Sequence, residues 1–368
     1  MGVPKSTTWT LEPHTRAKHE ILRRYLEAWT PIMGLGGFPT IAYVDGFAGP
    51  GVYSGGEDGS PIIALKAALQ HRARIKANVL FLFIEKEKDR AEKLDELVSA
   101  LGLPKNFRAR VVGGKTFEGG FRENLFDFYR KLGKSIPPTF AFIDPFGWTG
   151  VPFDLVRQIL SHPSCEVLIN FMFEEINRFI EHPGQAENFD ALFGTDEWRK
   201  MAAIVEKVAR RDFLHALYLR QLRVAAGAKY VRSFEMRNDK DVTDYFLFFA
   251  TNSPKGMAKM KEAMWKVDQS GEFRFSDATN PAQGLLFSPK PDFDALRRMI
   301  VTKFAGKHTT VAEVEDFVLA DTPYRETHYK KQVLAPLERE GRVSPLNPSA
   351  GRKAGTYAAP TMGLRFAP

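Results

Sequence analysis

The sequence is poor in the residues that build covalent cross-links and metal centres. It contains one cysteine, Cys165, among 368 residues, which excludes an internal disulfide framework and a cysteine-ligated metal or iron–sulfur site. Its eight histidines are scattered and form no HExxH-type cluster with carboxylates. The sequence therefore predicts neither a disulfide scaffold nor a metal site.

Long hydrophobic runs are also missing. No uninterrupted apolar segment approaches the roughly 20 residues needed to cross a bilayer, and the start of the chain is too polar for a signal peptide. The composition, 44% hydrophobic and 26% charged, is that of a globular protein, and 368 residues suffice for more than one domain. We therefore expect a cytoplasmic protein with no membrane partner.

Positive charge is in excess. The formal net charge is +8 and the pI is about 9.3, which favours an anionic partner, most often nucleic acid. Residues 191–237 carry ten Lys and Arg against five Asp and Glu, and residues 292–368 carry twelve against nine. These two segments account for the whole excess of positive charge.

A short apolar run that breaks into glycines organises the first half of the chain. Residues 41–51 read IAYVDGFAGPG, and the apolar start is typical of a buried strand. Asp45 closes this strand, and Gly46, Gly49 and Gly51 form a turn whose backbone something must approach closely. The same pattern also fits an ordinary tight connection. The rest of the chain has to decide between the two interpretations.

Further apolar runs alternate with segments of helical spacing. Strands are predicted at 79–84, 108–112, 140–143 and 167–171, and helices at 61–71, 89–101, 117–132 and 153–160. Strands that are apolar throughout are typical of a parallel sheet covered on both faces. The predicted fold class is α/β, a doubly wound, mostly parallel, Rossmann-like sheet in residues 37–290, preceded by an N-terminal helical segment, residues 1–36.

Two parts of the chain depart from this alternation. Residues 173–226 read as helical throughout, which predicts a helical insertion, followed by an antiparallel strand pair at 229–236 and 245–250. Beyond a proline-bearing link at 281–291, the pattern predicts two helices and a two-stranded ribbon, at 309–319, 327–340, 342–345 and 356–358. Helix, turn, helix and ribbon indicate a winged-helix-like domain in residues 291–368.

Polar residues follow the apolar runs where ligands bind in an open parallel sheet, at the carboxyl ends of the strands. Asp45, Glu85, Asp144 and Asn170 close successive strands. A carboxylate after the second strand can accept both hydroxyls of a ribose, which predicts this role for Glu85. The alternative, an N-cap for the next helix, is less favoured because Glu caps helices poorly.

A second motif follows the fourth strand. Asp144-Pro145-Phe146-Gly147 resembles the acid-Pro-Pro-aromatic motif of amino-methyltransferases, in which an oxygen holds the target amine and an aromatic ring stacks on its base. Phe146 or Trp148 would supply the ring. The second proline of the motif is absent, and a strand-end turn explains the same residues.

The glycine loop resembles the first motif of the S-adenosylmethionine-dependent methyltransferases, an acid-x-x-x-G-x-G loop. This resemblance implies that S-adenosylmethionine is the cofactor and that six residues bind it: Asp45, Gly46, Phe47, Gly49, Gly51 and Glu85. The chain departs from the pattern in two places. Asp45 and Glu85 are about twice the usual 20 residues apart, and glycines and Lys115 replace the carboxylate that contacts adenine after the third strand in many such enzymes.

Four longer stretches, LRRYLEAWTPIMG, YVDGFAGPGVYSGGEDGSPIIAL, FIDPFGW and YFLFFATNSPKGMAKMKEAMW, are together similar to the three-Cys-motif partner (TcmP) family of bacterial and phage proteins. The resemblance spans residues 14–280. It implies a methyltransferase-like fold and a companion protein that bears a three-cysteine motif. The glycine loop and DPFG are also similar to the ribosomal-RNA adenine N6-methyltransferases.

Three functions remain open on the sequence. The first is a methyltransferase that acts on a base amine of nucleic acid together with the companion protein. The second is a Rossmann-like module that binds nucleic acid or a partner without catalysis. The third, a nuclease, is disfavoured because a metal-dependent nuclease needs an acid-x-Lys pair that Glu85-Lys86-Glu87 does not provide.

Basic residues recur in the predicted recognition helix and ribbon of the tail. Arg325, Lys330, Lys331 and Arg342, followed by Arg352, occupy positions where a winged helix meets phosphates. The alternative is a solvated helix face. We expect the tail to contact nucleic acid.

Overall fold

The computed structural model describes residues 6–270, 272–278 and 291–368. The chain divides into two compact units, the first comprising Met1–Lys259 with Arg274–Pro281 and the second comprising Met260–Phe273 with Ala282–Pro368. The predicted link at 281–291 lies, except for its last residue, outside the described residues. In the described part of the chain, no helix is long and apolar enough to cross a membrane.

One sheet dominates the first unit. Within the described residues it has eight strands in the order β3-β2-β1-β4-β5-β7-β6-β8. Neighbouring strands pair in parallel except at β7, which is antiparallel to β5 and β6. The strands are β1 Thr40–Asp45, β2 Asn78–Glu85, β3 Phe107–Gly113, β4 Thr139–Ile143, β5 Glu166–Phe171, β6 Tyr230–Arg237, β7 Thr243–Thr251 and β8 Arg274–Ser276. This is the Rossmann-like methyltransferase fold, as the sequence predicts.

The central strands are apolar because they are covered on both faces. β4 and β5 are buried at every position, and β1 is buried at all but its first residue. The helices that alternate with the strands are α1 Pro13–Gly34, α2 Ser60–Leu69, α3 Lys88–Ser99, α4 Phe117–Phe121, α5 Phe128–Lys131 and α6 Phe153–Leu160, with a π-helical stretch Arg122–Asp127 joining α4 to α5. Polar residues are therefore found mainly at the ends of these strands and in the loops that connect them to the helices.

The segment between β5 and β6 is helical, which confirms the predicted insertion. It contains α7 Phe173–Phe179, α8 Ala186–Phe193 and α9 Lys207–Arg220, together with short 3-10 and π-helical stretches at Pro183–Gln185, Glu197–Ala203 and Gln221–Ala225. Its aromatic side chains join the core of the sheet: the ring of Tyr218 lies 4.7 Å from that of Phe171 on β5. The insertion is therefore packed on the sheet by its aromatic residues.

The second unit contains a winged-helix-like domain. Its elements are α11 Phe293–Phe304, β9 His308–Thr310, α12 Val311–Asp321, a π-helical stretch Lys330–Leu334 that continues into α13 Ala335–Arg339, β10 Val343–Leu346 and β11 Gly363–Phe366. Among the described residues, the three strands form an antiparallel sheet in the order β10-β11-β9. The domain type is as predicted, although α11 and β9 were not foreseen.

The second ribbon strand was predicted in the wrong place. It lies at Gly363–Phe366 rather than at 356–358. Tyr357 is buried for a different reason: its hydroxyl donates to Oε2 of Glu338 at 2.7 Å and lies 3.0 Å from the carbonyl oxygen of Leu334. A side-chain anchor, and not strand pairing, explains the apolar character of that segment.

The helix α10, Pro254–Val267, contributes its second half to the second unit. Met260, Met264 and Trp265 are buried there, so they serve packing. Lys261 is fully buried, and its ammonium donates to the carbonyls of Val318 at 2.7 Å and Thr322 at 2.9 Å. This lysine caps the carboxyl end of α12, where the helix leaves its last carbonyls without backbone partners.

Candidate functional site

The glycine loop leaves β1 in a tight path that requires glycine at particular positions. Gly49 and Gly51 have φ values of 61° and 78°, which disfavour residues with a Cβ. A Cβ at Gly46 would stand 2.5 Å from the ring of Phe117, and one at Gly51 would stand 2.6 Å from Leu94. The loop is thus pressed against its neighbours and presents its main chain to the space above the sheet.

Glu85, at the end of β2, is tied to this loop. Its Oε2 accepts from the amide of Gly49 at 2.7 Å, and its Oε1 accepts from the amide of Glu87 at 2.8 Å. The side chain is only 6% exposed. Burial raises the pKa of Glu85, and the two amides partly oppose that rise. Each carboxylate oxygen has two lone pairs, so acceptor capacity remains for a ligand.

Asp45 lies beneath the loop and lines neither cavity described below. It is fully buried and accepts weak bonds at 3.3 Å from the Tyr43 hydroxyl and the Phe47 amide. Burial raises its pKa to about 7, against an opposing hydrogen bond from Ser60. This carboxyl group contacts the loop through the Phe47 amide, and a cofactor contact by Asp45 stays a prediction.

Asp144, directly after β4, forms the most tightly connected cluster in the site. The Nζ of Lys18 on α1 lies 2.8 Å from its Oδ1 and 2.6 Å from its Oδ2. The Nδ2 of Asn170 on β5 donates to Oδ1 at 2.6 Å. The side chains of Lys18 and Asp144 are 6% and 19% exposed. The carboxylate is therefore fixed in orientation but still reachable.

Asn170 has one polar atom without a partner. Its Oδ1 is buried and accepts no hydrogen bond in the described structure, although the residue lines the cavity beside Asp144. A buried acceptor without a hydrogen-bond partner is energetically costly in a folded protein. It is consistent with a ligand donor or water completing the site.

Two neighbouring cavities open above the carboxyl ends of the strands. Cavity 1 measures about 400 Å³ and includes the glycine loop, Lys18, Asp144 and Asn170 in its lining. Cavity 2 measures about 170 Å³ and includes Glu85 in its lining. Phe47 and Phe146 line both, so the two cavities adjoin through these rings; Gly49, Gly51 and Pro145 line cavity 1, and Gly46, Lys115, Thr116 and Phe117 line cavity 2.

Trp148 does not belong to this site. Its ring stacks on Phe189 of the insertion, with centroids 5.5 Å apart and planes 16° apart, and lies 4.9 Å from Phe179. Gly147, with φ of 107°, turns the chain away from the cavities just before it. Trp148 is therefore corrected from a stacking residue to a packing residue, and Phe146 remains as the aromatic candidate.

A segment before α1 forms part of the cavity wall, and no pattern in the sequence predicts this position for it. Trp9 lines cavity 1, and its ring meets Phe146 edge-on at 5.2 Å. Arg90 lies 5.1 Å from the Trp9 ring, and the Trp9 carbonyl accepts from the Ser54 amide at 2.9 Å. The N-terminal segment is thus fastened across the glycine loop.

The far wall of cavity 1 is acidic. Glu12, Asp144 and Asp244 all line it, opposed by Lys18 and His14. His14 is held by Asp277, whose Oδ2 is 2.6 Å from Nδ1. Burial raises the pKa of Asp244. Asp144 is paired with Lys18, and His14 Nε2 lies 3.1 Å from Glu12 and 3.9 Å from Asp244. The carboxylates of Glu12 and Asp244 therefore offer acceptor sites to ligands that carry positive charge or several hydrogen-bond donors. In the described part of the chain, no group of three or more His, Cys, Asp or Glu is arranged to hold a metal.

The basic tail residues differ in their availability. Arg325 is 25% exposed and lies 3.6 Å from Glu262, and Lys330 lies 3.7 Å from Glu315. Lys331 and Arg342 are exposed, and within the described residues neither has an ion-pair partner.

Arg352 has a structural role and is not a phosphate contact. Its guanidinium is 8% exposed and binds both carboxylate oxygens of Glu338, at 2.7 and 2.8 Å. That pair, with bonds from Tyr357 and the Gly355 amide, lowers the pKa of Glu338 to about 2. The clamp holds the ribbon loop onto α13.

One family model matches the part of the chain that contains the winged-helix-like domain. Residues 274–350 match the family described as GMT-like wHTH domain. A search of curated proteins returned no match. Similar solved structures include protein LPL1258 from Legionella pneumophila, 13% identical with a TM-score of 0.42, covering 72% of this chain and 93% of that chain. Another is Trm1 from Pyrococcus horikoshii with S-adenosyl-L-methionine, 13% identical with a TM-score of 0.36, covering 98% of this chain and 93% of that chain. Similarity at this level carries no argument about substrate or activity.

Proposed function

We propose that this protein binds S-adenosylmethionine and transfers its methyl group to a base amine of nucleic acid. We further propose that it belongs with the three-Cys-motif partner proteins and works with a companion that bears the three-cysteine motif. One observation carries the proposal: Gly49, Glu85 and Asp144 converge from adjacent strands on two cavities that adjoin at Phe47 and Phe146. Proteins with this fold bind their ligands at the carboxyl ends of the parallel strands, where these residues converge.

The residues present fit the proposed cofactor. Glu85 keeps acceptor capacity for two ribose hydroxyls beside the apolar ring of Phe117. The carboxylates of Glu12 and Asp244 favour a ligand that carries an ammonium and a sulfonium charge. The bound cofactor would supply an electrophilic methyl group. The glycine loop would hold it through main chain, with Asp45 as the support below.

Asp144 is suited to orient the amine. Its carboxylate accepts from Lys18 and Asn170, yet a carboxylate offers about four lone-pair sites. It can therefore still accept an N–H of a base amine and point the nitrogen lone pair at the methyl donor. Lys18 and Asn170 are positioning residues that hold this carboxylate, and Phe146 offers a face on which an extruded base can stack.

A second candidate is a binding module without catalysis. It is favoured by the ion pair that already engages both oxygens of Asp144 and by the lack of a carboxylate after β3, where Gly113 and Gly114 lead into Lys115. In that case the cavities would hold a ligand for regulation or for assembly with the companion.

Transfer of methyl-tritiated S-adenosylmethionine to DNA and RNA separates these candidates. A methyltransferase should label nucleic acid, and digestion to nucleosides should place the label on a base amine. Cofactor binding without labelling of single-stranded or duplex DNA or RNA would favour the binding module, and the test should be repeated with the companion protein co-expressed.

Replacement of Glu85 tests the cofactor site. The Glu85→Gln variant should bind S-adenosylmethionine about 10- to 150-fold more weakly, because a charge-assisted hydrogen bond contributes about 1.5–3 kcal/mol. The amide also turns a donor toward either Gly49 or Glu87, so the loop should loosen. Calorimetry measures the affinity, with Glu92→Gln, at an exposed position on α3, as the control. An unchanged affinity in Glu85→Gln would remove Glu85 from the site.

Replacement of exposed tail residues tests the nucleic-acid contact. The Lys331→Gln/Arg342→Gln variant should flatten the dependence of log affinity on log salt for duplex DNA by about 1.8, because each lost phosphate contact removes about 0.9. The control is Arg130→Gln/Arg157→Gln, which removes two exposed but ion-paired arginines of the first unit. Point variants are preferable to truncation, because Trp265 packs against Tyr324 and His328 within the second unit. Equal salt slopes in the two variants would indicate that Lys331 and Arg342 contact protein and not nucleic acid.

A further inference from the structure

Six basic residues cluster at the end of the sheet opposite the cavities. They come from two segments that enter neighbouring strands: one follows α2 and leads into β2, and the other leads into β3 and continues along it. All six are exposed: Arg72, Arg74, Lys76, Lys105, Arg108 and Arg110. We call them the amino-end patch, because they lie at or near the amino ends of β2 and β3.

The two segments are fixed side by side. The Asn106 side chain donates to the carbonyls of Ile75 at 3.2 Å and Ala77 at 3.0 Å, and the Val79 amide donates to the Asn106 carbonyl at 2.8 Å. β2 and β3 then pair in register from Val79 with Phe107. These hydrogen bonds and the strand pairing therefore hold the basic residues near one another, although their like charges repel.

None of the six has an ion-pair partner among the described residues. No acid occurs in the sequence from 70 to 84 or from 97 to 115. Arg72 and Arg74 lie just after the carboxyl end of α2, where a positive charge interacts favourably with the helix dipole. This interaction accounts for the position of only two of the six basic residues. Like charges held near one another repel, so the patch bears an uncompensated cost in the free protein.

The basic residues of the helical insertion behave in the opposite way. The sequence marked residues 191–237 as a source of the positive excess, yet many of its cations are neutralised within the first unit. These pairs are Arg199–Asp190, Lys207–Glu174, Arg210–Glu181 and Arg220–Glu197, at 2.5–2.8 Å. Among the described residues, the amino-end patch is thus an unpaired positive surface of the first unit.

We propose that the amino-end patch binds the phosphate backbone of the nucleic-acid substrate, so that the first unit has its own nucleic-acid contact in addition to the tail. The inference rests on nucleic acid as the substrate class of the proposed function, but not on methyl transfer. Four of the six residues are arginines, whose forked donors match phosphate. Two of them, Arg108 and Arg110, are two residues apart on one strand and so project from the same side of it.

The position of the patch constrains how substrate is held. β3 has seven residues, so its two ends are about 20 Å apart at about 3.3 Å per residue. A duplex that contacts the patch and runs along the edge strand would bring a position about six base pairs away to the level of the cavities, since duplex DNA rises about 3.4 Å per base pair. The patch would then anchor a flank of the substrate and leave the reacting base free.

The test compares two full-length quadruple variants. The patch variant carries Arg72→Gln, Arg74→Gln, Arg108→Gln and Arg110→Gln. The matched control removes the same charge from exposed, ion-paired arginines: Arg130→Gln, Arg157→Gln, Arg199→Gln and Arg220→Gln. Binding of a fluorescent DNA duplex, a single-stranded RNA and poly-glutamate is measured from about 50 to 200 mM salt.

The patch variant should lose about 0.9 from the logarithmic salt slope for each phosphate contact to duplex DNA, or about 0.7 on a single strand, to a total of about 2–3.6. The control should lose less than about one contact. Unchanged slopes on both nucleic acids would overturn the inference, and so would loss of poly-glutamate binding alone, which would indicate an acidic protein partner. Calorimetry with S-adenosylmethionine on the same samples keeps the outcomes separate, because failure of the wild type to bind cofactor refutes the proposed function and leaves the slopes to be judged by themselves.

Discussion

The Asp144→Asn variant should bind S-adenosylmethionine within about threefold of wild type and transfer methyl groups about 100- to 1,000-fold more slowly. The amide retains the shape of the carboxylate, so the cavity is preserved. It loses the negative charge and one acceptor oxygen, and its Nδ2 would face either Lys18 or the incoming amine. Because that interaction acts on the reacting amine, the loss should appear in kcat and not in cofactor affinity.

A control is needed because Asp144→Asn also leaves Lys18 buried without its counterion, which is costly for a side chain 6% exposed. The Lys18→Gln/Asp144→Asn double variant removes both charges. If Asp144 orients the amine, transfer should remain low in the double variant. Recovery of transfer would show that the stranded charge of Lys18, and not the missing oxygen, caused the loss. Loss of cofactor binding in Asp144→Asn would move this residue into the cofactor site.

The Lys261→Met variant should lower the free energy of unfolding of the second unit by about 3 kcal/mol. The replacement keeps the apolar stem but removes the donor to the Thr322 carbonyl, and a buried acceptor left without a donor costs about 1–3 kcal/mol. The Val318 carbonyl loses the ammonium but keeps the Thr322 hydroxyl as a donor at 2.8 Å. Favourable interaction of the ammonium with the carboxyl end of α12 is lost as well.

Urea unfolding and amide hydrogen exchange in α12 measure this effect. The matched control is Lys266→Met, an exposed position on the same helix, which should change stability by less than about 0.5 kcal/mol. Equal stability of the two variants would show that solvent or neighbouring groups satisfy the α12 carbonyls without Lys261.

The sheet and its glycine loop could be predicted because their signals are local. Parallel strands covered on both faces are apolar throughout, and the runs of β1, β2, β4 and β5 were found in the sequence for this reason. Glu85 and Asp144 were recognised for the same reason, since each directly follows one of these runs. Their positions at the ligand-binding edge then follow from topology alone.

The partners of those residues could not be predicted, because they are distant in sequence. Lys18 is 126 residues from Asp144, and on its own helix it is one of several interleaved basic residues. The Trp9 segment has no periodic pattern. Trp148 was misassigned because its destination depends on Phe179 and Phe189, which lie in an insertion whose packing the sequence does not specify.

The tail shows a different limit. α11 was missed because Ile300, Val301 and Thr302 are β-branched residues with low helix propensity, and the burial of Leu296, Ile300 and Phe304 decides the matter. β9 has three residues, too few for a periodic signal. Arg352 looked like a phosphate contact until its pairing with Glu338 became visible. The sequence shows which residues are charged, but it does not show which of them already have an ion-pair partner in the folded protein.

Calorimetric titration of the full-length protein with S-adenosylmethionine is the most direct test of the central claim that the two adjoining cavities are a cofactor site. Wild-type protein should bind one equivalent, and Glu85→Gln should bind it about 10- to 150-fold more weakly. No detectable heat with wild type at about millimolar cofactor, corresponding to a binding free energy weaker than about −4 kcal/mol, would contradict the claim.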